Sequence, residues 1–226
     1  MKTPRPLIVA LVGMTAAAAI AAAPPPPALQ AQLEQAVQAH EEGRLDAARR
    51  AFEALARRGV PAAAFNLGVM HLDGEVPHAD VQQARRWFER AAAAGFVTAQ
   101  FALGQLHESG RLGRRDLAQA LQWYERAALA GSVPAQLEMG TASFLGRGRP
   151  QSAAEAARWY REAAKGGDVA AQYLLASMYE HGDGVERDLR LARYWYEAAA
   201  KNGDEAAPGK LKALDAAGAA AATAPP

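Results

Sequence analysis

Cysteine is absent from all 226 residues. That absence removes disulfides, thiolate nucleophiles, zinc–thiolate centres and dithiol redox motifs together, so the fold must hold by packing alone. An excess of charge is also missing. Twenty-five basic residues face 24 acidic ones, a formal +1. Bulk electrostatics therefore does not make the chain a nucleic-acid binder. The longest uncharged apolar stretch near the start, Leu7 to Ile20, is 14 residues, short of the ~20 that span a bilayer as a helix. The motifs of several enzyme classes are absent too. There is no Gly-x-Ser-x-Gly elbow, no Ser-x-x-Lys, no Walker loop and no Gly-x-Gly-x-x-Gly following a strand. The sequence predicts a non-enzyme without cofactor or metal.

What is present begins with a three-part leader. Lys2 and Arg5 precede the Leu7–Ile20 stretch, then come Ala21, Ala22, Ala23 and the run Pro24 to Pro27. This is the layout of a secretory signal peptide. Small residues at Ala19 and Ala21 predict cleavage after Ala21, since Pro24 would hinder a cut after Ala23. Removing Lys2 and Arg5 leaves 23 basic against 24 acidic residues, a formal −1. The alanine and arginine bias is that of a GC-rich bacterium, which makes a periplasmic or secreted location the expectation.

A period of 36 residues dominates the rest. Trp87, Trp123, Trp159 and Trp195 are evenly spaced, and each precedes an aromatic: Phe88, Tyr124, Tyr160 and Tyr196. Alanine pairs follow at Ala91–Ala92, Ala127–Ala128, Ala163–Ala164 and Ala199–Ala200, and glycines recur at Gly95, Gly131, Gly167 and Gly203. Within one period, Ala84, Phe88, Ala91 and Ala92 fall at i, i+4, i+7 and i+8, one face of an α-helix. The small alanines predict close approach of a neighbouring helix. Asp80, Asp116, Ser152 and Asp188 stand where N-caps belong. Each period thus predicts two antiparallel helices. One such hairpin cannot bury its apolar face alone, but stacked hairpins share a core. The predicted fold is all-α, an α-solenoid of stacked antiparallel helix pairs, with the Trp–aromatic pair in the packing.

The fourth period reads Ala171, Tyr173, Leu175, Tyr179, then Gly182, Gly184, Val185, Asp188, then Ala192, Trp195, Tyr196, Ala199, Ala200 and Gly203. It resembles the Sel1-like repeat (SLR) family of the tetratricopeptide (TPR)-like superfamily. The leucine–glycine pair of that family appears as Leu67–Gly68 and Leu103–Gly104. Period four departs at Ala176, where glycine is usual, and period three departs in its loop, Gly146 to Pro150, which lacks the valine and aspartate. The resemblance implies a superhelical protein-binding scaffold, an adaptor or regulator within a complex. Some cysteine-rich secreted relatives are linked with penicillin binding or hydrolysis. This chain lacks their cysteines and offers no activated nucleophile, so that enzyme reading is remote.

The predicted organisation is a signal peptide at 1–21, a Pro-rich linker at 22–28 and a TPR-like first unit at 29–62. Repeats follow at 63–98, 99–134, 135–170 and 171–206, then a capping helix at 207–215 and a disordered tail at 216–226.

Candidate residues fall into three groups. His71 and His107 share one repeat position, which invites a metal reading, but Tyr179 stands there in the fourth copy and no second ligand set accompanies them. They read as packed rings. His40 and His181 are placed on a solvent-facing groove, and Glu41–Glu42 on a solvated face. The resemblance places peptide contacts on a concave stripe of the first helices. These positions are Val69, Leu72 and Asp73 in the first repeat, then Gln105, Glu108 and Ser109, then Thr141, Phe144 and Leu145, and finally Ser177, Glu180 and His181. Phe144 stands where two other copies carry glutamate, as a core filler or a ligand anchor. The third group is the loop arginines Arg111, Arg114, Arg115, Arg147 and Arg149, either solvated or an edge for an anionic ligand. The expected partner is a protein or peptide of the cell envelope. The alternative is anionic envelope polysaccharide or peptidoglycan. Neither nucleic acid nor a stable membrane span after processing is expected.

Overall fold

The computed structural model describes residues 26–223. The predicted leader at 1–21 and its cleavage site lie outside the described residues. The described chain forms helices α1 (Pro27–Glu41), α2 (Leu45–Arg57), α3 (Pro61–Leu72), α4 (Val81–Ala93), α5 (Val97–Ser109) and α6 (Leu117–Leu129). It continues with α7 (Val133–Leu145), α8 (Ala153–Lys165), α9 (Val169–His181), α10 (Leu189–Lys201) and α11 (Ala207–Thr223). The chain divides into two compact units, up to Ser132 and from Val133 onward. Within the first unit α1 packs on α2, α3 on α4 and α5 on α6. In the second, α7 packs on α8 and α9 on α10, with α11 against α10. Each unit is a stack of antiparallel helix pairs, and the fold class is an all-α solenoid.

The helix boundaries follow from local chemistry. Asp80 accepts from the Gln82 amide, Asp116 from Gln119, Ser152 from Glu155, and Asp188 from both Arg190 and Leu191. All four N-caps assigned from sequence satisfy a backbone donor that would otherwise be unpaired. Gly95, with φ of 80°, takes the left-handed conformation that turns the chain into the next first helix.

The core is built by one ring per repeat. Phe88, Tyr124, Tyr160 and Tyr196 are buried, whereas Trp87, Trp123, Trp159 and Trp195 are only half-buried. Adjacent residues on a helix point about 100° apart, so only one of the two rings can face directly inward. Three of the four inward rings lie over a glycine of their own first helix. A Cβ on Gly68, Gly104 or Gly140 would come within 2.6 Å of the ring atoms of Phe88, Tyr124 or Tyr160. Copy four has Ala176 at this position, buried, and its ring stands differently. Tyr196 meets Tyr173 at 66° between planes, against 35° for Phe65–Phe88 and 39° for Phe101–Tyr124.

At the C-terminal end α11 starts at Ala207, with Asp204 accepting from the Ala206 and Ala207 amides. Pro208 sits in the first turn, where its missing N–H costs nothing. The helix continues to Thr223 and so enters the 216–226 stretch taken as disordered from sequence. That stretch is nearly all alanine, the residue of highest helix propensity, and an existing helix propagates into it without a new nucleus.

Candidate functional site

Three of the inward rings carry a hydroxyl that needs a partner once buried. Tyr124 Oη donates to Glu108 Oε2 at 2.8 Å, and Tyr196 Oη to Glu180 Oε2 at 2.6 Å. Tyr160 Oη reaches Thr141 Oγ1 instead, at 3.3 Å. Copy one has Phe88, which asks for no acceptor, and Leu72 stands where Glu108 and Glu180 do. Presence of the phenol and of a nearby acceptor therefore go together. Burial raises the pKa of Tyr160 and Tyr196, and at Tyr196 the Glu180 carboxylate adds to this. Both phenols stay protonated as donors.

These pairings account for several residues of the first-helix stripe. In the first unit, Glu108 is held by Tyr124 and by Arg115 at 3.2 Å. Gln105 and Ser109 are exposed, while Val69 is buried and Leu72 packs on the core. In the second unit, Glu180 accepts from Tyr196 and from Lys210 Nζ at 3.1 Å. Ser177 and His181 bond to one another within the last turn of α9, His181 remaining exposed. Thr141 serves Tyr160. Phe144 is partly exposed, at 38%, and Leu145 largely so, at 61%. Phe144 is thus no core filler. The role of Glu108 and Glu180 was hidden in the sequence, because their hydroxyl partners lie 16 residues further on. Lys210, on α11, was missed for the same reason.

Burial tends to raise the Glu180 pKa, but the Tyr196 hydroxyl, Lys210 and His181 together hold it below the ordinary carboxylate value. The amides of Leu191 and Arg190 lower Asp188 likewise. For both, the unfolded chain takes up protons before the folded one. Their stabilisation is complete above the unfolded values near 4.5 and 3.8 and is lost as pH falls through the folded ones. Asp73 acts oppositely. Burial and Glu75 raise its pKa, so its contribution fades as pH rises. Thermal unfolding followed by circular dichroism is expected to show the melting temperature dropping between neutral pH and the carboxylate range. Glu180→Gln should flatten part of that drop, and an unchanged acid profile would refute the assignment.

The histidines take different roles. His71 is packed, its Nδ1 buried without a partner, and burial lowers its pKa. His40 is not on a groove: it is 5% exposed, and its Nε2 lies 2.5 Å from Glu75 Oε2. The last turn of α1 is covered by the loop after α3, a contact no local pattern reveals. Among the described residues no group of three or more His, Asp or Glu could hold a metal ion, and no helix is long and apolar enough to cross a membrane.

The five loop arginines have internal partners. Arg111 donates to the Leu72 carbonyl at 2.9 Å, Arg115 pairs with Glu108, and Arg114 lies 3.9 Å from Asp116. In the second unit, Arg147 pairs with Glu138 at 2.9 Å and Arg149 with Glu155 at 2.8 Å.

Comparison with known proteins turns this geometry into a family assignment. The Sel1 repeat model matches four consecutive segments, residues 61–96, 97–132, 133–168 and 169–204. The chain belongs to the Sel1-repeat family. The matched segments begin where the first helices do, two residues before the repeat limits drawn from the tryptophan period. Among solved structures, the Sel1-repeat chain is similar to a Sel1 repeat protein from Oxalobacter formigenes, with 33% identity and a TM-score of 0.76, covering 82% of this chain and 55% of that one. It is also similar to c5321, described as a protective antigen of uropathogenic Escherichia coli with an SLR fold. There the identity is 30% and the TM-score 0.74, covering 81% of this chain and 40% of that one. The chain thus spans about half the length of these relatives or less. An immunity protein of Pseudomonas aeruginosa, Pa5087, shares the fold at 20% identity and a TM-score of 0.52, over 86% of this chain and 74% of its own. No curated protein matches. The Sel1-repeat chain is a helical-repeat module of that family.

Proposed function

We propose that this Sel1-repeat module is exported to the cell envelope and serves there as an adaptor or regulator, binding a protein segment on its first-helix surface. The observation that carries this reading is Phe144. At the same register position Glu108 and Glu180 are engaged by buried phenols, whereas Phe144 projects 38% exposed beside Leu145. Tyr160 has Thr141 as acceptor, which releases position 144 from structural duty. An exposed aromatic beside a leucine on a rigid helix end is the makeup of a hot-spot anchor, with Ser177 and His181 as polar groups of the same unit. The loop arginines favour the polysaccharide alternative less, since each already has an internal partner.

The test is affinity capture from envelope extract with the chain recovered from the periplasm, both bait and prey read by mass spectrometry. The bait is expected to begin at Ala22, and a bait still starting at Met1 would sink the export reading. Phe144→Ala is expected to weaken the captured partner by more than about 1 kcal/mol, with the helical spectrum unchanged. Full retention of affinity would remove Phe144 from the interface.

A further inference from the structure

In the first unit, charge is sorted by helix layer. The first helices α1, α3 and α5 carry Glu34, Glu41 and Glu108, and no arginine or lysine. The second helices α2, α4 and α6 carry seven arginines against four acids, Asp46, Glu53, Glu89 and Glu125. Only two of the seven are neutralised: Arg49 by Asp46 and Glu53, and Arg85 by Glu89. Arg90 donates to the Ala56 carbonyl at 2.6 Å and lies over Trp87, and Arg126 lies over Trp123 at 4.7 Å. Arg50, Arg57 and Arg86 are exposed, and among the described residues their side chains have no partner. The second unit differs. There Arg158, Lys165, Arg190 and Arg193 each have a carboxylate within ion-pair reach, Arg161 bonds to the Tyr179 hydroxyl, and Lys201, at the end of α10, is exposed without a carboxylate partner among the described residues. Unpaired arginine is thus concentrated on α2 and α4.

We infer that the second-helix face of the first unit, centred on Arg50, Arg57 and Arg86, is a docking surface for an extended acidic segment of a partner protein. Arg50 and Arg57 are seven residues apart on one helix, hence on one face and about 10 Å apart along the axis. Arg86 is the 36-residue equivalent of Arg50, on a helix that the Arg90–Ala56 bond ties directly to α2. Packed helices lie about 8–10 Å apart. By this geometry Arg50 stands about 10 Å from Arg57 along the helix and about 10 Å from Arg86 across it, and the Arg57–Arg86 diagonal is about 14 Å. An extended chain rises about 3.3 Å per residue, so carboxylates at every third position meet the spacings of about 10 Å. Arginine's planar fork suits a carboxylate. Two other occupants fit less well. The indole faces of Trp87 and Trp123 are already covered by guanidinium groups, leaving no platform for a sugar ring. Leu129 is the only large apolar side chain among the described residues of this unit that is strongly exposed, so the face has little to insert into a bilayer.

The experiment is fluorescence anisotropy with a labelled peptide of about 15 residues, aspartate at every third position and glycine or serine between, titrated with the full chain at low salt. The expected result is saturable binding that weakens with salt. The variant Arg50→Gln/Arg57→Gln/Arg86→Gln should weaken it about tenfold, since each exposed pair contributes at most ~1 kcal/mol. The control Arg114→Gln/Arg115→Gln should bind as the parent does, and Phe144→Ala likewise, which separates this face from the first-helix anchor. These substitutions replace exposed side chains, so all variants should keep the parental helical spectrum. Absence of peptide binding would overturn the inference, as would equal affinity of the triple variant. Stronger, arginine-dependent binding of polygalacturonate or phosphatidylglycerol vesicles than of the peptide would overturn it in favour of that occupant.

Discussion

Tyr160→Ala is expected to lower the unfolding free energy by about 3–5 kcal/mol, the loss that follows removal of a large buried ring. The ring is 3% exposed, lies directly over Gly140 and holds α7 against α8. Alanine would leave a ring-sized void that the glycine below it cannot fill. Trp159→Ala, one residue earlier and nearly the same size, should cost only about 1–2 kcal/mol, because its half-buried ring already spends part of its surface in water. Urea titration of the two variants distinguishes them by midpoint. Equal costs, or a greater one for Trp159, would mean that the tryptophan is the core ring and that the burial pattern is wrong.

A second large effect is expected at Gly184, whose replacement by alanine should cost about 3 kcal/mol or more through two separate causes. Its φ is +69°, a region that costs a residue with a Cβ about 1–2 kcal/mol. A Cβ there would also stand 2.2 Å from the Ala153 carbonyl carbon and 2.4 Å from the Ala154 amide nitrogen. These are backbone atoms at the start of α8, so no rotamer change relieves the collision. The loop after α9 must withdraw, and its seat on the preceding helix pair is lost. Gly167→Ala is the matched control: φ is +91° there, but nothing lies within 4 Å of the added carbon. Its cost should be the conformational part alone. Similar melting temperatures for the two variants would show that the backbone collision is relieved elsewhere.

Much of this architecture was legible in the sequence because its signals are local or strictly periodic. The four N-caps, the recurrence of a glycine at Gly95 and its equivalents, and the helix pairing follow from spacing within one 36-residue period. Which of two adjacent aromatic rings turns inward did not follow, because Trp159 and Tyr160 are both apolar enough for a core and differ only in direction around the helix. The first-helix stripe could be located from register, but not its division of labour. Glu108 and Glu180 look like free acids until the phenols of Tyr124 and Tyr196 are seen to reach them. His40 likewise looks exposed until the loop carrying Glu75 folds over it. The unpaired state of Arg50, Arg57 and Arg86 was equally hidden, since charge counting along a helix says nothing about which carboxylates come within reach. The alanine-rich end was misjudged for a different reason: lack of amphipathic period signals lack of a packed face, not lack of helix.

The hydroxyl–carboxylate bonds have a consequence for heredity. Tyr124 and Glu108 lie in the same period, as do Tyr196 and Glu180, each pair 16 residues apart. A tandem coding array gains and loses whole periods by unequal recombination. Such an event carries donor and acceptor together, so it strands neither a buried phenol nor its acid. Some of the bonds that join one period to the one before it, from Arg90 to the Ala56 carbonyl and from Arg111 to the Leu72 carbonyl, end on the main chain. Every possible neighbour supplies that acceptor. Side-chain complementarity is thus kept inside the inherited segment for the buried phenols, whereas Arg161 with the Tyr179 hydroxyl and His40 with Glu75 cross a joint and tie those particular neighbours to one another.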